Sequence, residues 1–250
     1  VKNKYLAVLV NHRSFRNLWV SQLVANFGDW VGILAVYAII QQYAASPFLL
    51  GLIIIVKMMS FALFSPIAGY ITDTYDRKSV MFWSDIARAI LVTGFLFIDS
   101  KEWLFLTYVL IALQMLFSAM FEPAKSSSIP NLLKGEDLIS GNIITSFSWS
   151  AIFTLGMAIG GILTNWLGFR LVFVINVITY LISAVFVYHV QIPQSERPPK
   201  KKSDSPFKDI LDGFRYLKTH PRVARPALAK ATYTSFMGGL LYIIILYSEE

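Results

Sequence analysis

Residues 49–78 read LLGLIIIVKMMSFALFSPIAGYITDTYDRK. From Leu49 to Ile71 the one charged residue is Lys57. As a helix rising ~1.5 Å per residue, the stretch is long enough to cross the ~30 Å hydrocarbon core of a bilayer. Thr72–Lys78 then gathers Asp73, Asp76, Arg77 and Lys78 into a short polar link. A strand reading fails, because the run is too long and lacks a two-residue alternation. Lipid also offers no water to satisfy open strand edges, so a helix is the form that closes its own hydrogen bonds.

The same alternation extends in both directions. Further apolar stretches predict helices over Leu18–Tyr43, Ser79–Ile98, Trp103–Phe121, Leu138–Leu163, Phe169–Gln191 and Ala224–Ser248, which with Leu49–Ile71 makes about seven spans. The 250 residues are 56% hydrophobic and only 15% charged, with a mean hydropathy of +0.57. A soluble domain carries roughly 25% charged residues, so this chain could not cover its own surface in water. The fold class is therefore all-α integral membrane. The first span is too long for a signal-peptide core and reads as a retained helix. The chain has no cysteine, which excludes disulfides and thiolate metal sites.

The net charge of +7 resides in the links, which argues against nucleic acid as a partner. The segment before Leu18 and the links 72–78, 122–137 and 192–223 hold 16 of the 22 Lys and Arg residues. The links 44–48, 99–102 and 164–168 hold only Lys101. With alternating spans every basic link falls on one side, so the positive-inside rule expects a cytoplasmic N-terminus. Link 192–223 opens with Pro193, Pro198, Pro199 and Lys200–Lys202, then shows apolar residues at helical spacing over Pro206–Lys218. It reads as a basic linker with an amphipathic helix on the membrane face. The expected organisation is a six-helix bundle over 1–191, this linker over 192–223, and the start of a second bundle over 224–250.

Charges inside spans cost about 2.5–3.5 kcal/mol each at the bilayer centre, so each needs a partner or water. Gln22, Asn26 and Asp29 stand at i, i+4, i+7 and share one helix face. Asp29 is a candidate coupling carboxylate, with a structural carboxylate as the equal alternative. Lys57 is expected to snorkel outward rather than pair with Asp29, given their difference in depth. Asp85 and Arg88, three apart, are expected to form a structural ion pair. The fourth span lines up Thr107, Gln114 and Ser118, and the fifth lines up Asn142, Thr145, Trp149, Phe153, Gly156 and Gly160. The small residues Gly156, Gly160 and Gly161 suit close helix packing. His12, His189 and His220 are scattered, and no nucleotide-binding or hydrolase motif occurs. No cofactor or metal is expected and no enzyme is indicated.

Gly69-Tyr70-Ile71-Thr72-Asp73-Thr74-Tyr75-Asp76-Arg77-Lys78 resembles the signature loop of the major facilitator superfamily. Gly69, Asp73, Arg77 and Lys78 match the pattern, and Asp76 replaces the usual second glycine. In physical terms Gly69 would allow close helix approach, Asp73 would oppose a helix dipole, Arg77 would hold Asp73, and Lys78 would anchor the loop. Gly28-Asp29, Ser46–Gly51, Asp85-Ile86-Ala87-Arg88, Phe121–Ala124 and Gly156–Gly161 are similar to segments of its drug-efflux branch, the macrolide-efflux or third drug:proton antiporter group. Met157 stands where that branch has a proline.

The resemblance implies twelve spans in two halves, each half built from two three-helix inverted repeats. On that footing the chain would be the N-terminal half, the linker and one further span, with the C-terminal half of the same transporter as its partner. The implied function is proton-coupled export of drugs or other amphipathic small molecules across the bacterial cell membrane. The first, second, fourth and fifth spans would line the cavity, with substrate and protons meeting Asn26, Asp29, Gln114 and Trp149. Gly69, Asp73, Arg77 and Lys78 would form the gating loop. An exporter of a siderophore or lipid, and a non-transporting relative, remain alternatives at this stage.

Overall fold

The computed structural model describes residues 4–193 and, beyond them, 213, 215–226, 228–229, 232–233 and 236. The expected seventh span Ala224–Ser248 and amphipathic segment Pro206–Lys218 lie largely outside the described residues. The elements are α1 (Lys4–Asn11), α2 (Arg13–Tyr43), α3 (Pro47–Thr74), α4 (Arg77–Gly94), α5 (Leu104–Leu132) and α6 (Gly135–Tyr188). Short 3-10 turns at Phe95–Phe97 and Lys101–Trp103 join α4 to α5. Among the described residues there is no strand, and α2 to α6 are long and apolar enough to cross a membrane.

Helix ends follow local chemistry. Pro47 occupies the first turn of α3, where its missing N–H costs nothing. Asp76 is the N-cap of α4, accepting from the Ser79 N–H at 2.9 Å and the Ser79 hydroxyl at 2.8 Å. The residue that departs from the superfamily's loop pattern thus has a local role of its own. α5 runs on through Pro123 and Pro130 to Leu132, so most of the expected link 122–137 is helix. Its polar residues are satisfied along that helix. Lys125 bonds Glu122 at 2.7 Å, and Ser127 and Ser128 donate back to the Ala124 carbonyl. α1 was read as part of a charged link, yet it forms a short helix whose Val8 is buried.

α6 has 54 residues, about 80 Å at ~1.5 Å per residue, too long for one crossing. It is broken at Gly168, where φ is +75° and ψ 158°. Only glycine adopts that backbone region readily. The two arms run antiparallel along α2. On the first arm Gly141 lies against Phe15, and Gly160 lies against Val31 and Leu34. On the second, Asn176 meets Gly32, and the His189 carbonyl accepts from the Asn17 amide at 3.4 Å. With the break at Gly168 counted, α2 to α6 make six long helical segments.

α2 is sandwiched between those two arms, with glycines of the first arm at one contact and glycines of α2 at the other. A Cβ at Gly156 would come within 2.7 Å of Trp30 Cβ, and one at Gly160 within 2.9 Å of Val31 Cα. On the other face a Cβ at Gly28 would lie 1.9 Å from Thr179 Oγ1, and one at Gly32 2.5 Å from Asn176 Nδ2. Gly161 is looser, with Leu34 at 4.0 Å. Beyond this sandwich α3 packs on α5, and α4 on both α5 and α6. α3 leaves Ile55, Met58, Met59 and Leu63 more than half exposed. So apolar a surface is unsuited to water and suited to lipid or a second bundle.

The buried apolar side chains form two clusters. One contains Val31, Ile39, Ile53, Phe95, Ile111 and Phe173, and the other contains Phe15, Leu18, Met81, Phe121, Leu133 and Val187. The second lies at the end of the bundle carrying the basic links. Where the two clusters meet, the buried side chains become polar.

Candidate functional site

That polar seam draws on four helices. α2 brings Asp29, α4 brings Asp85 and Arg88, α5 brings Gln114 and Ser118, and the second arm of α6 brings Tyr180 and Ser183. Arg88 pairs with Asp85, which is fully buried, and its Nη1 lies 3.8 Å from Asp29 Oδ2. The guanidinium sits between two rings, 4.6 Å from the centre of Tyr180 and 4.8 Å from that of Phe121. The second oxygen of Asp85 accepts from the Ser183 hydroxyl at 2.6 Å. Asp29 Oδ1 accepts from the Tyr180 hydroxyl and, at 3.3 Å, from the Gln114 amide. The same amide donates to Tyr180 Oη at 2.8 Å.

The helical registers explain the convergence. Asp85 and Arg88 share a face as i, i+3, and Asn176, Tyr180 and Ser183 share one as i, i+4, i+7. Each buried charge thereby has an opposite charge or several hydrogen bonds, the condition for tolerating it away from water. One donor stays unmatched, because Arg88 Nε is buried without a partner.

Asp29 differs from Asp85 in one respect. Its side chain is 22% exposed and lines a cavity with Gly32, Lys57, Gln114, Phe173 and Asn176. The cavity volume is about 20 Å³, room for about one water. It suits a proton or water in this conformation, while a drug-sized solute requires a more open one.

Placed against the expectations, Asp29 and Gln114 are brought together. Asn26 is half-buried and, among the described residues, makes no hydrogen bond in the seam. Trp149 does not reach the cavity. It is 48% exposed and stacks on Phe153 at 5.8 Å, with Trp30 edge-on to both. Arg88 pairs with Asp85 and also lies 3.8 Å from Asp29. The cavity also takes walls from Phe95 at the end of the third span and from Phe173 and Asn176 of the sixth, spans outside the four that the resemblance implies as lining. Lys57 lines the same cavity and lies 5.5 Å from the Trp30 ring centre, so the expectation of outward snorkelling gives way to an inward-turned ammonium. Tyr180, Ser183 and Asn176 were missed, although the stripe rule applied to α2 would have found them.

In the loop after α3, Arg77 donates to the Ser127 carbonyl of α5, tying the start of α4 to that helix. Asp73 is exposed, and Lys78 lies 5.0 Å from the Tyr188 ring centre. A Cβ at Gly69 would meet nothing within 4 Å, so its close approach is not made among the described residues.

Long apolar helices packed around a charged, hydrogen-bonded seam are the architecture of a multi-pass membrane protein. Residues 18–249 match the Major Facilitator Superfamily, and the chain belongs to that family of transporters. It is 31% identical over 84% of its length to the uncharacterized MFS-type transporter YfiS of Bacillus subtilis, covering 51% of that protein. It is 25% identical over 90% of its length to BacE of the same organism, a candidate bacilysin exporter, covering 56% of it. To the multi-drug resistance efflux pump PmrA of Streptococcus pneumoniae it is 29% identical over 70% of its length, covering 42% of that pump. The chain thus spans about half the length of the curated relatives it matches.

Proposed function

We propose that the chain forms the N-terminal half of a proton-coupled exporter of drugs or other amphipathic small molecules, working by alternating access in the bacterial cell membrane with its N-terminus in the cytoplasm. One observation carries this reading: Asp29 is held inside a membrane bundle by groups from three other helices, yet its carboxylate opens onto a cavity. A carboxylate so placed can exchange a proton with the cavity. Its loss of charge would weaken its hold on Arg88 and leave that guanidinium to Asp85. Asp29 is common to bonds from α5 and α6, so its protonation is felt across the bundle. Gly69, Asp73, Arg77 and Lys78 would act as the gating loop at the inner surface, against the second half. The similarity to PmrA supports export as the direction of transport.

The test is Asp29→Asn in everted membrane vesicles energised by a proton gradient. We expect gradient-driven ethidium uptake to fall to background while the amount of inserted protein is unchanged. Wild-type uptake by this variant would remove Asp29 from coupling.

A further inference from the structure

Among the described residues Lys57 is the one cationic side chain lining the Asp29 cavity, and its situation is unlike that of Arg88. Arg88 has two carboxylates within 4 Å. Among the described residues Lys57 has no carboxylate within that distance, and the contact it makes is with the face of Trp30. An ammonium costs several kcal/mol to remove from water unless something pairs with it. Asp29 has reserve capacity of its own. Its hydrogen bonds fall on Oδ1, while Oδ2 has only Arg88 at 3.8 Å, beyond hydrogen-bond distance. One cavity therefore presents an acid with an unfilled oxygen and a base with an unfilled set of donors. Counting Asp29, Asp85, Arg88 and Lys57, the site is neutral, so a neutral solute carrying both charges leaves it balanced.

We propose that Asp29 and Lys57 form a two-headed receptor for a zwitterionic solute, the ammonium of the solute facing Asp29 and its carboxylate or phosphate facing Lys57. The Trp30 ring lies beside Lys57, with Trp149 and Phe153 packed against that ring, and would take the solute's apolar body once the cavity widens. Entry requires the cavity to widen and Lys57 to leave Trp30 for the anionic group. This assignment rests on the export reading and narrows it, because a proton on Asp29 and the solute's ammonium would compete for one carboxylate, as exchange demands. A peptide and a lysophospholipid headgroup both carry the required charges.

The experiment uses everted vesicles from cells expressing the protein. Ethidium serves as the cation, with phenylalanyl-phenylalanine and lysophosphatidylethanolamine as zwitterions. In wild-type vesicles at least one zwitterion should be taken up under a proton gradient and should inhibit ethidium uptake. Uptake of the peptide alone assigns an amino-acid-derived solute, and uptake of the lysolipid alone assigns a headgroup. In Lys57→Gln the ratio of zwitterion to ethidium uptake should fall at least about tenfold, the loss of one charge-assisted contact. Lys57→Arg should restore the ratio. Ethidium uptake in wild-type vesicles with neither zwitterion moving or inhibiting overturns the assignment and leaves the export reading standing. An unchanged ratio in Lys57→Gln likewise overturns the assignment. Uptake of no probe at all overturns the export reading, and this assignment with it.

Discussion

Arg88 is the residue on which the interior balances, since Asp29 and Asp85 depend on it for their opposite charge. Removing one partner of a buried ion pair leaves an uncompensated charge, at a cost of about 3–5 kcal/mol. Arg88→Ala leaves two carboxylates unmatched and is expected to cost at least that. Tyr180→Phe removes one hydroxyl from Asp29 and should cost about 1 kcal/mol, because Gln114 remains. Thermal unfolding of detergent-purified variants separates the two, and equal midpoints would show that Arg88 is not the balancing charge. The ionisable half of this site was legible in the sequence, since a charge in an apolar span has few innocent explanations. Its neutral half was legible in part: Gln114 and Ser118 stand out as a stripe on α5, whereas Asn176, Tyr180 and Ser183 share a stripe whose meaning depends on the rotation of α6 about α2. The aim of Lys57 was misjudged for a related reason. Depth along a helix can be read from sequence, whereas the direction a long side chain takes depends on its neighbours, here Trp30.

At the level of elements, the bundle is organised by α2 lying between the arms of α6 with glycines at the crossings. Gly28→Ala and Gly160→Ala each place a methyl group inside contact distance, against Thr179 and against the Val31 backbone respectively. Overpacking of this kind costs about 1–3 kcal/mol. Gly161→Ala meets only Leu34 at 4.0 Å and should be neutral or stabilising by up to ~1 kcal/mol, the ordinary gain of alanine over glycine in a helix. Melting temperatures of the three variants check the order, and a Gly161→Ala loss as large as that of Gly160→Ala would refute it. The apolar runs revealed the helices because lipid enforces both their length and their composition. Their ends were harder to place. α5 continues ten residues or so past the apolar run, roughly three turns, since polar residues outside the bilayer can remain helical when Ser127, Ser128 and Lys125 bond within the helix. The packing role of Gly156 and Gly160 was visible as spacing, while Gly28 and Gly32 carry the same spacing and became meaningful only with Asn176 and Thr179 opposite them.

For the whole molecule, orientation in the membrane is a matter of which end carries the basic residues. Arg77 meets Ser127, Lys78 lies over Tyr188 and His12 meets Asp137, so the links 72–78 and 122–137 share one end with the beginning of α2 and the close of α6. At the other end Phe95 stacks on Phe173 at 4.9 Å, which brings the link after α4 beside the turn at Gly168. The bias of Lys and Arg toward the first end sets the expected topology. The absence of cysteine from these 250 residues makes this directly measurable, because an introduced thiol has no neighbour among them to compete for label. Thr74 and Ser126 are exposed at the basic end, and Asp99 and Asn165 at the opposite end. In intact cells a membrane-impermeant maleimide should label Asp99→Cys and Asn165→Cys, and should reach Thr74→Cys and Ser126→Cys only after permeabilisation. The reverse pattern would turn the protein over, place the Asp73–Lys78 loop outside, and remove the inner-surface gate from the transport cycle. Labelling of all four in intact cells would mean that the seam around Asp29 is not enclosed by a membrane bundle at all.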